Sequence, residues 1–167
     1  IDYIPKKMPH REDHVKAIRE SKHDLLLLGR VGTGKTHSTK RALNGHEAFV
    51  FLNCHALRLR RRRTDLDMTY LREICNQLNI RLPFRGFSTG WAYGYVSSAV
   101  KHKFGRVTVV FDDADYAPLD LIKSLVEKLK FDKRVIIIVR DEYKAERLSE
   151  ELGIKDRLYY EPYKSSE

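Results

Sequence analysis

Cysteine is scarce in this chain: Cys54 and Cys75 are the only two in 167 residues, and no C-x-x-C pair occurs. No histidines pair at ligand spacing either. Both absences argue against a zinc module or a disulfide-stapled scaffold, and reduced thiols in an intracellular protein are expected. No run approaches the ~18 apolar residues of a membrane helix, and no signal peptide opens the chain, so a soluble protein without membrane contact is expected. Internal repeats and low-complexity tracts are also missing. Acidic residues fall short of basic ones, 23 against 32, which leaves a net charge of +9 and a pI near 9.6. Such an excess favours a polyanionic partner. Apolar content of 42% is enough for one well-filled domain over residues 1–167.

The positive charge is concentrated. Between Cys54 and Arg106 there are eleven Lys/Arg and three acids, so +8 of the total +9 belongs to this third of the chain. Its candidate anion-contacting residues are Arg58, Arg60, Arg61, Arg62, Arg63 and Arg85.

Apolar runs set the fold class. Residues 24–28, 48–53, 107–111 and 135–139 read as buried strands, with a short last strand at 158–161. The second, Ala48–Asn53, reads as continuously buried, as in a sheet covered on both faces. Helical spacing marks 11–21, 36–43, 65–79, 88–101, 119–131 and 144–152. Residues 55–63 stand out only as a basic run. On the helix expected after Ser88, Trp91, Tyr95, Ala99, Val96 and Val100 share one side, and Trp91, Tyr93 and Tyr95 read as core or interface rather than as base-stacking groups. Strands alternating with helices predict a three-layer α/β domain around a mainly parallel five-stranded sheet.

Chemistry enters at Gly29-Arg30-Val31-Gly32-Thr33-Gly34-Lys35-Thr36, which fits G-x-x-x-x-G-K-[ST] directly after the apolar run Leu25–Leu28. Glycines let successive backbone N–H groups face a phosphate chain, and the following helix, whose start carries Lys35, Thr36 and His37, points its positive end at the same anion. Lys35 can reach the β- and γ-phosphates, and the Thr36 hydroxyl can ligand Mg²⁺. The partner is the strand 107–111 running into Asp112 and Asp113. An apolar strand ending in an acid places a carboxylate beside the metal, so Asp112 is the expected second Mg²⁺ group and Asp113 the water-orienting acid. Asp113 is one methylene shorter than the glutamate many related ATPases carry there.

Further stretches carry a resemblance. The opening Tyr3–Glu12, the pair Asn53-Cys54, the loop Pro83-Phe84-Arg85-Gly86-Phe87-Ser88, Asp112–Asp115, Leu152-Gly153 and Tyr160-Glu161-Pro162-Tyr163 are collinear across the chain. Together they resemble archaeal and eukaryotic replication initiators of the origin-recognition and cell-division-control type, which are AAA+ ATPases. The resemblance implies an AAA+ core with ATP as nucleotide and Ile4, Pro5, His10 and Arg11 lining the adenine pocket. It implies that 54–106 includes a basic initiator-type helical insertion that contacts double-stranded origin DNA. A cytoplasmic or nucleoid location is expected, with AAA+ neighbour subunits or other replication proteins as partners. Two positions depart from the family pattern. Arg140 stands where a polar sensor of the γ-phosphate is usual, and Glu151 where many relatives carry an arginine finger, with Arg147 and Arg157 as nearby substitutes. The lid and winged-helix domains of the family are not expected within these residues. Slow or partner-dependent ATP hydrolysis is therefore the expectation, with a non-hydrolysing ATP- and DNA-binding scaffold as the alternative and a small-molecule P-loop kinase a more distant one.

Overall fold

A computed structural model of the chain describes residues 12–30, 33–60, 66–83 and 86–161. Among them, five strands form one parallel sheet: β1 (Leu25–Gly29), β2 (Phe49–Asn53), β3 (Val107–Asp112), β4 (Lys133–Val139) and β5 (Asp156–Tyr160), in the order β2-β3-β4-β1-β5. Seven helices join them: α1 (Glu12–Glu20), α2 (Lys35–Leu43), α3 (Cys54–Leu59), α4 (Leu66–Leu78), α5 (Thr89–Lys103), α6 (Leu119–Lys128) and α7 (Glu142–Leu152).

The connection β1–α2–β2 steps across the sheet in one direction, while the later crossovers step back. Right-handed crossovers of opposite direction put their helices on opposite faces. Strand alternation divides the core accordingly. Leu25, Leu27, Val110, Ile136 and Ile138 pack with Val15 and Ile18 of α1 and Ala42 and Leu43 of α2. Leu26, Leu28, Val109, Phe111, Ile137 and Val139 pack with the helices from α3 to α7.

The central strands β3 and β4 are buried on both faces, but β2 is not. It lies at the sheet edge and alternates: Val50 and Leu52 are buried, whereas Phe49 and Phe51 are half-exposed, with the Lys40 ammonium 5.0 Å over the Phe51 ring. Phe49 and Phe51 pack against the rim of the cluster formed with α1 and α2, so this face of β2 is only partly covered. The basic run 55–63 begins as a helix, α3, with the Asn53 side chain capping it by accepting from Ala56 N. On α5, Ser88 caps as expected, but the buried face is Ala92, Tyr93, Val96, Ser97 and Val100, and Trp91 faces solvent. No helix among the described residues is long and apolar enough to cross a membrane.

Candidate nucleotide site

Open parallel sheets bind ligands beyond the C-terminal ends of their strands, where connections diverge in opposite directions. Here that point is the end of β1, flanked by β4 and β5. Gly29 is required by contact: a Cβ there would lie 2.6 Å from the Tyr160 carbonyl oxygen and 3.0 Å from Thr33 Oγ1. Gly34 takes φ 89° and starts α2 with no side-chain cap. By contrast, α3, α5 and α7 are each capped by a side chain, Asn53, Ser88 and Asp141. Like α6, which follows Pro118, α2 starts without a side-chain cap, and at a helix start that arrangement suits an anion as the acceptor for the first N–H groups.

Around that helix start lies a pocket of about 230 Å³ lined by Thr33, Gly34, Lys35, Thr36, His37, Asp113, Ile138 and Arg140. The Lys35 ammonium donates to Gly29 O at 2.5 Å, Arg30 O at 2.8 Å and Thr33 Oγ1 at 3.2 Å. Burial lowers its pKa, against the raising fields of Asp115, Asp112 and Asp113. The Thr36 hydroxyl donates to Asp112 Oδ1 at 2.9 Å, joining two groups 76 positions apart in sequence. Asp112 is buried, and its pKa is pushed up to about 6, first by desolvation and then by the neighbouring Asp113. Asp113 itself turns the chain in the left-handed region at φ 52°, a strained conformation for a residue with a side chain and one concentrated at functional sites.

The expected cofactor residues Gly29, Arg30, Thr33, Gly34, Lys35, Thr36 and His37 and both acids are therefore gathered at one sheet edge. Val31, Gly32, Ile4, Pro5, His10 and Arg11 lie outside the described residues. So do Arg61, Arg62, Arg63 and Arg85 of the basic segment. Arg58 and Arg60 are exposed, and each is engaged within the chain: Arg58 lies 4.8 Å from the Tyr116 ring, and Arg60 pairs with Glu73 at 2.8 Å. A Mg²⁺ ion bound through one carboxylate, one hydroxyl and phosphate oxygens needs no protein cage, and the described residues contain no cluster of three His, Cys, Asp or Glu that could form one.

Sequence reasoning singled out Arg140 as a departure but gave no role to Asp115, Tyr116 or Lys144, which hold these strand ends in shape. Asp115 accepts from the backbone N–H of Arg140 and Asp141 and faces Arg140 Nε at 3.6 Å. Lys144 donates to the carbonyls of Asp115 and Ala117. Arg140 reaches the Tyr116 hydroxyl at 3.2 Å and borders a second hollow of about 520 Å³ beside Arg30, Glu142, Tyr159 and Tyr160. The available signal was positional, since Arg140 follows β4 immediately and must stand beside the end of β1. Of the arginine-finger positions, Glu151 is held by Lys123 at 3.0 Å, Arg147 lies 3.9 Å from Glu151, and Arg157 pairs with Glu146 at 2.7 Å.

Comparison with known proteins agrees with this geometry. The family described as AAA domain matches residues 18–148. The ORC1-type DNA replication protein 2 of Sulfolobus acidocaldarius is 30% identical, over 99% of this chain and 46% of that protein. The chain thus spans about half the length of the curated relatives it matches. The Aeropyrum pernix ORC1 protein, solved in complex with DNA, superposes with a TM-score of 0.78 at 22% identity, covering 99% of this chain and 48% of that one. The ORC2 protein of the same organism, solved as ADPNP–ADP complexes, gives a TM-score of 0.75 at 16% identity, covering 99% and 51%. The curated relatives bear out the resemblance drawn from the arm, the loop and the acidic strand end.

Proposed function

The chain belongs to the AAA domain family, and from that premise we propose that it is the Mg·ATP-binding module of a DNA replication initiator. Lys35 and the N–H groups at the start of α2 would hold the phosphates, Thr36 and Asp112 would hold Mg²⁺, and Ile4, Pro5, His10 and Arg11 would line the adenine pocket. Bound Mg²⁺ would neutralise phosphate charge, and Asp113 would orient an attacking water. The helices of 54–106 form the DNA-facing insertion, and residues 1–167 form one nucleotide-binding domain. The observation that carries this reading is the 2.9 Å bond from Thr36 to Asp112 beside an uncapped helix start. It joins a hydroxyl and a carboxylate from opposite halves of the chain beside that helix start, which supports a shared metal-binding role for the two.

The test is titration of a fluorescent ATP analogue with and without Mg²⁺. Lys35→Ala should weaken binding at least tenfold, about 1.4 kcal/mol or more, with the circular dichroism spectrum unchanged. Equal affinity in a folded variant rules out the site.

One observation favours a second reading, a scaffold that binds ATP without hydrolysing it. By the resemblance Glu151 stands where many relatives carry an arginine finger, and it pairs with Lys123 at 3.0 Å; a carboxylate there would repel transition-state charge on a neighbour's nucleotide. Single-turnover hydrolysis, measured with and without duplex DNA, separates the two.

A further inference from the structure

The basic segment carries a row of aromatic rings that the nucleotide site does not use. Trp91 and Tyr95 stand one turn apart on α5, ring centres 5.1 Å apart and planes inclined by 19°. Phe87 extends the row, 5.0 Å from Trp91, and the Arg72 guanidinium of α4 lies 5.8 Å from the Phe87 ring. The row is fixed from below. The Tyr95 hydroxyl donates to Arg81 O at 2.8 Å, Arg72 donates to Pro83 O at 3.3 Å, and Trp91 N donates to Ser88 Oγ at 3.1 Å.

Packing accounts for part of this row. Phe87 and Tyr95 are half-buried against the core, and Tyr93 turns inward with its hydroxyl on Asp67 at 2.5 Å. Packing does not account for Trp91, which stays 47% exposed. An indole left in water forfeits a large burial gain, so an exposed, pre-stacked one marks a contact surface.

Charge selects the kind of contact. The acids described in this segment are already satisfied: Asp67 by Tyr93, and Glu73 by Arg60 at 2.8 Å and Gln77 at 2.7 Å. Arg81 is exposed beside the row, in a segment whose eleven basic and three acidic residues leave +8. Aromatic rings flanked by cations are the chemistry of single-stranded nucleic acid, where each base offers a free π-face. In a duplex those faces are stacked away.

We propose that Phe87, Trp91 and Tyr95 form a stacking platform for the unpaired bases of single-stranded DNA, with Arg72 and Arg81 tracking its phosphates. This rests on reading 54–106 as the DNA-facing insertion, and it does not depend on nucleotide binding.

Trp91 is the only tryptophan of the chain, so its fluorescence reports the contact directly. Titration with oligothymidylate should quench it in step with the anisotropy of a labelled oligonucleotide. Trp91→Ala should weaken single-strand affinity by about 5- to 100-fold, and Trp91→Phe should keep most of it, both with duplex and ATP-analogue binding retained. Because the wild-type quench needs no variant, a poorly folding alanine mutant would not remove the test. Saturation without quenching, unchanged affinity in Trp91→Ala, or no single-strand binding at low salt each overturns the platform. Quenching without duplex binding would instead overturn the double-stranded-origin reading and leave the platform standing.

Discussion

The Asp112 carboxylate is held by the Thr36 hydroxyl and the Asp113 backbone, yet burial and the Asp113 charge push its pKa up to about 6 from an ordinary 3.8. A raised carboxylate pKa means that the folded state binds this proton more tightly than the unfolded one. Its contribution to stability is complete below pH 3.8 and lost as the pH rises through about 6. At neutral pH the charged side chain therefore strains the apo fold by about 3 kcal/mol, taking 1.36 kcal/mol per unit. Asp112→Asn keeps an acceptor for Thr36 and removes the charge. In metal-free buffer its melting temperature should match wild type near pH 4 and exceed it by several degrees above pH 7. Mg·ATP should then raise the wild-type value and leave the variant unmoved. A variant less stable than wild type across the whole range would show that Asp112 is not strained. A destabilising charge at Asp112 fits its proposed role as a ligand for Mg²⁺.

Elements are held to the sheet by contacts that periodicity does not reveal. Arg134 of β4, only 2% exposed, sends Nη1 to Ile18 O at 2.8 Å and Ser21 O at 2.5 Å, and Nη2 to Glu47 at 3.2 Å. Thr108 of β3 donates to the other Glu47 oxygen. One buried guanidinium thus satisfies the last carbonyls of α1 and ties that helix to two strands. Arg134→Met should cost about 2–4 kcal/mol in urea denaturation, because the carbonyls at the end of α1 lose their donor and Glu47 its cation. Adding Glu47→Gln should recover part of the loss; full additivity would show that the two do not act as a pair. Residues of this kind explain what sequence could not show. The runs Leu25–Leu28, Val107–Phe111 and Val135–Val139 are apolar on both faces, and their strands were legible, as was the phosphate loop from spacing alone. The six-residue α3 was hidden because its helical period is too short to stand out among arginines, and only Asn53 marks its start. The edge position of β2 depends on strand order, which no local run encodes. On α5, Gly90 and Gly94 leave the buried face ambiguous, so spacing alone does not separate the exposed Trp91 from the buried Tyr93. Arg140 and Tyr116 meet only after β4 and the turn behind β3 are placed side by side.

Across the whole molecule, the nucleotide edge and the basic segment are joined rather than merely adjacent. The strands β2 and β3 end in register, Asn53 opposite Asp112, so α3 starts beside the acidic strand end. The Tyr116 ring then has Arg58 of α3 at 4.8 Å and Arg140 of the phosphate pocket at 5.4 Å. Charge is divided in the same way, with +8 of +9 in 54–106 and near-neutrality elsewhere. That division makes the DNA-facing surface testable without knowing a target sequence. Each neutralised phosphate contributes about −0.9 to the slope of log K against log salt for duplex DNA. If Arg58, Arg60, Arg61, Arg62, Arg63 and Arg85 supply four to six contacts, the slope should lie between about −3.6 and −5.4. Replacing Arg61, Arg62 and Arg63 by alanine should flatten it by up to about 2.7, whatever the duplex sequence. Unchanged salt dependence in the triple variant would therefore place the DNA against another face, and equal loss on every duplex would show that these arginines hold the backbone and leave sequence reading to other groups.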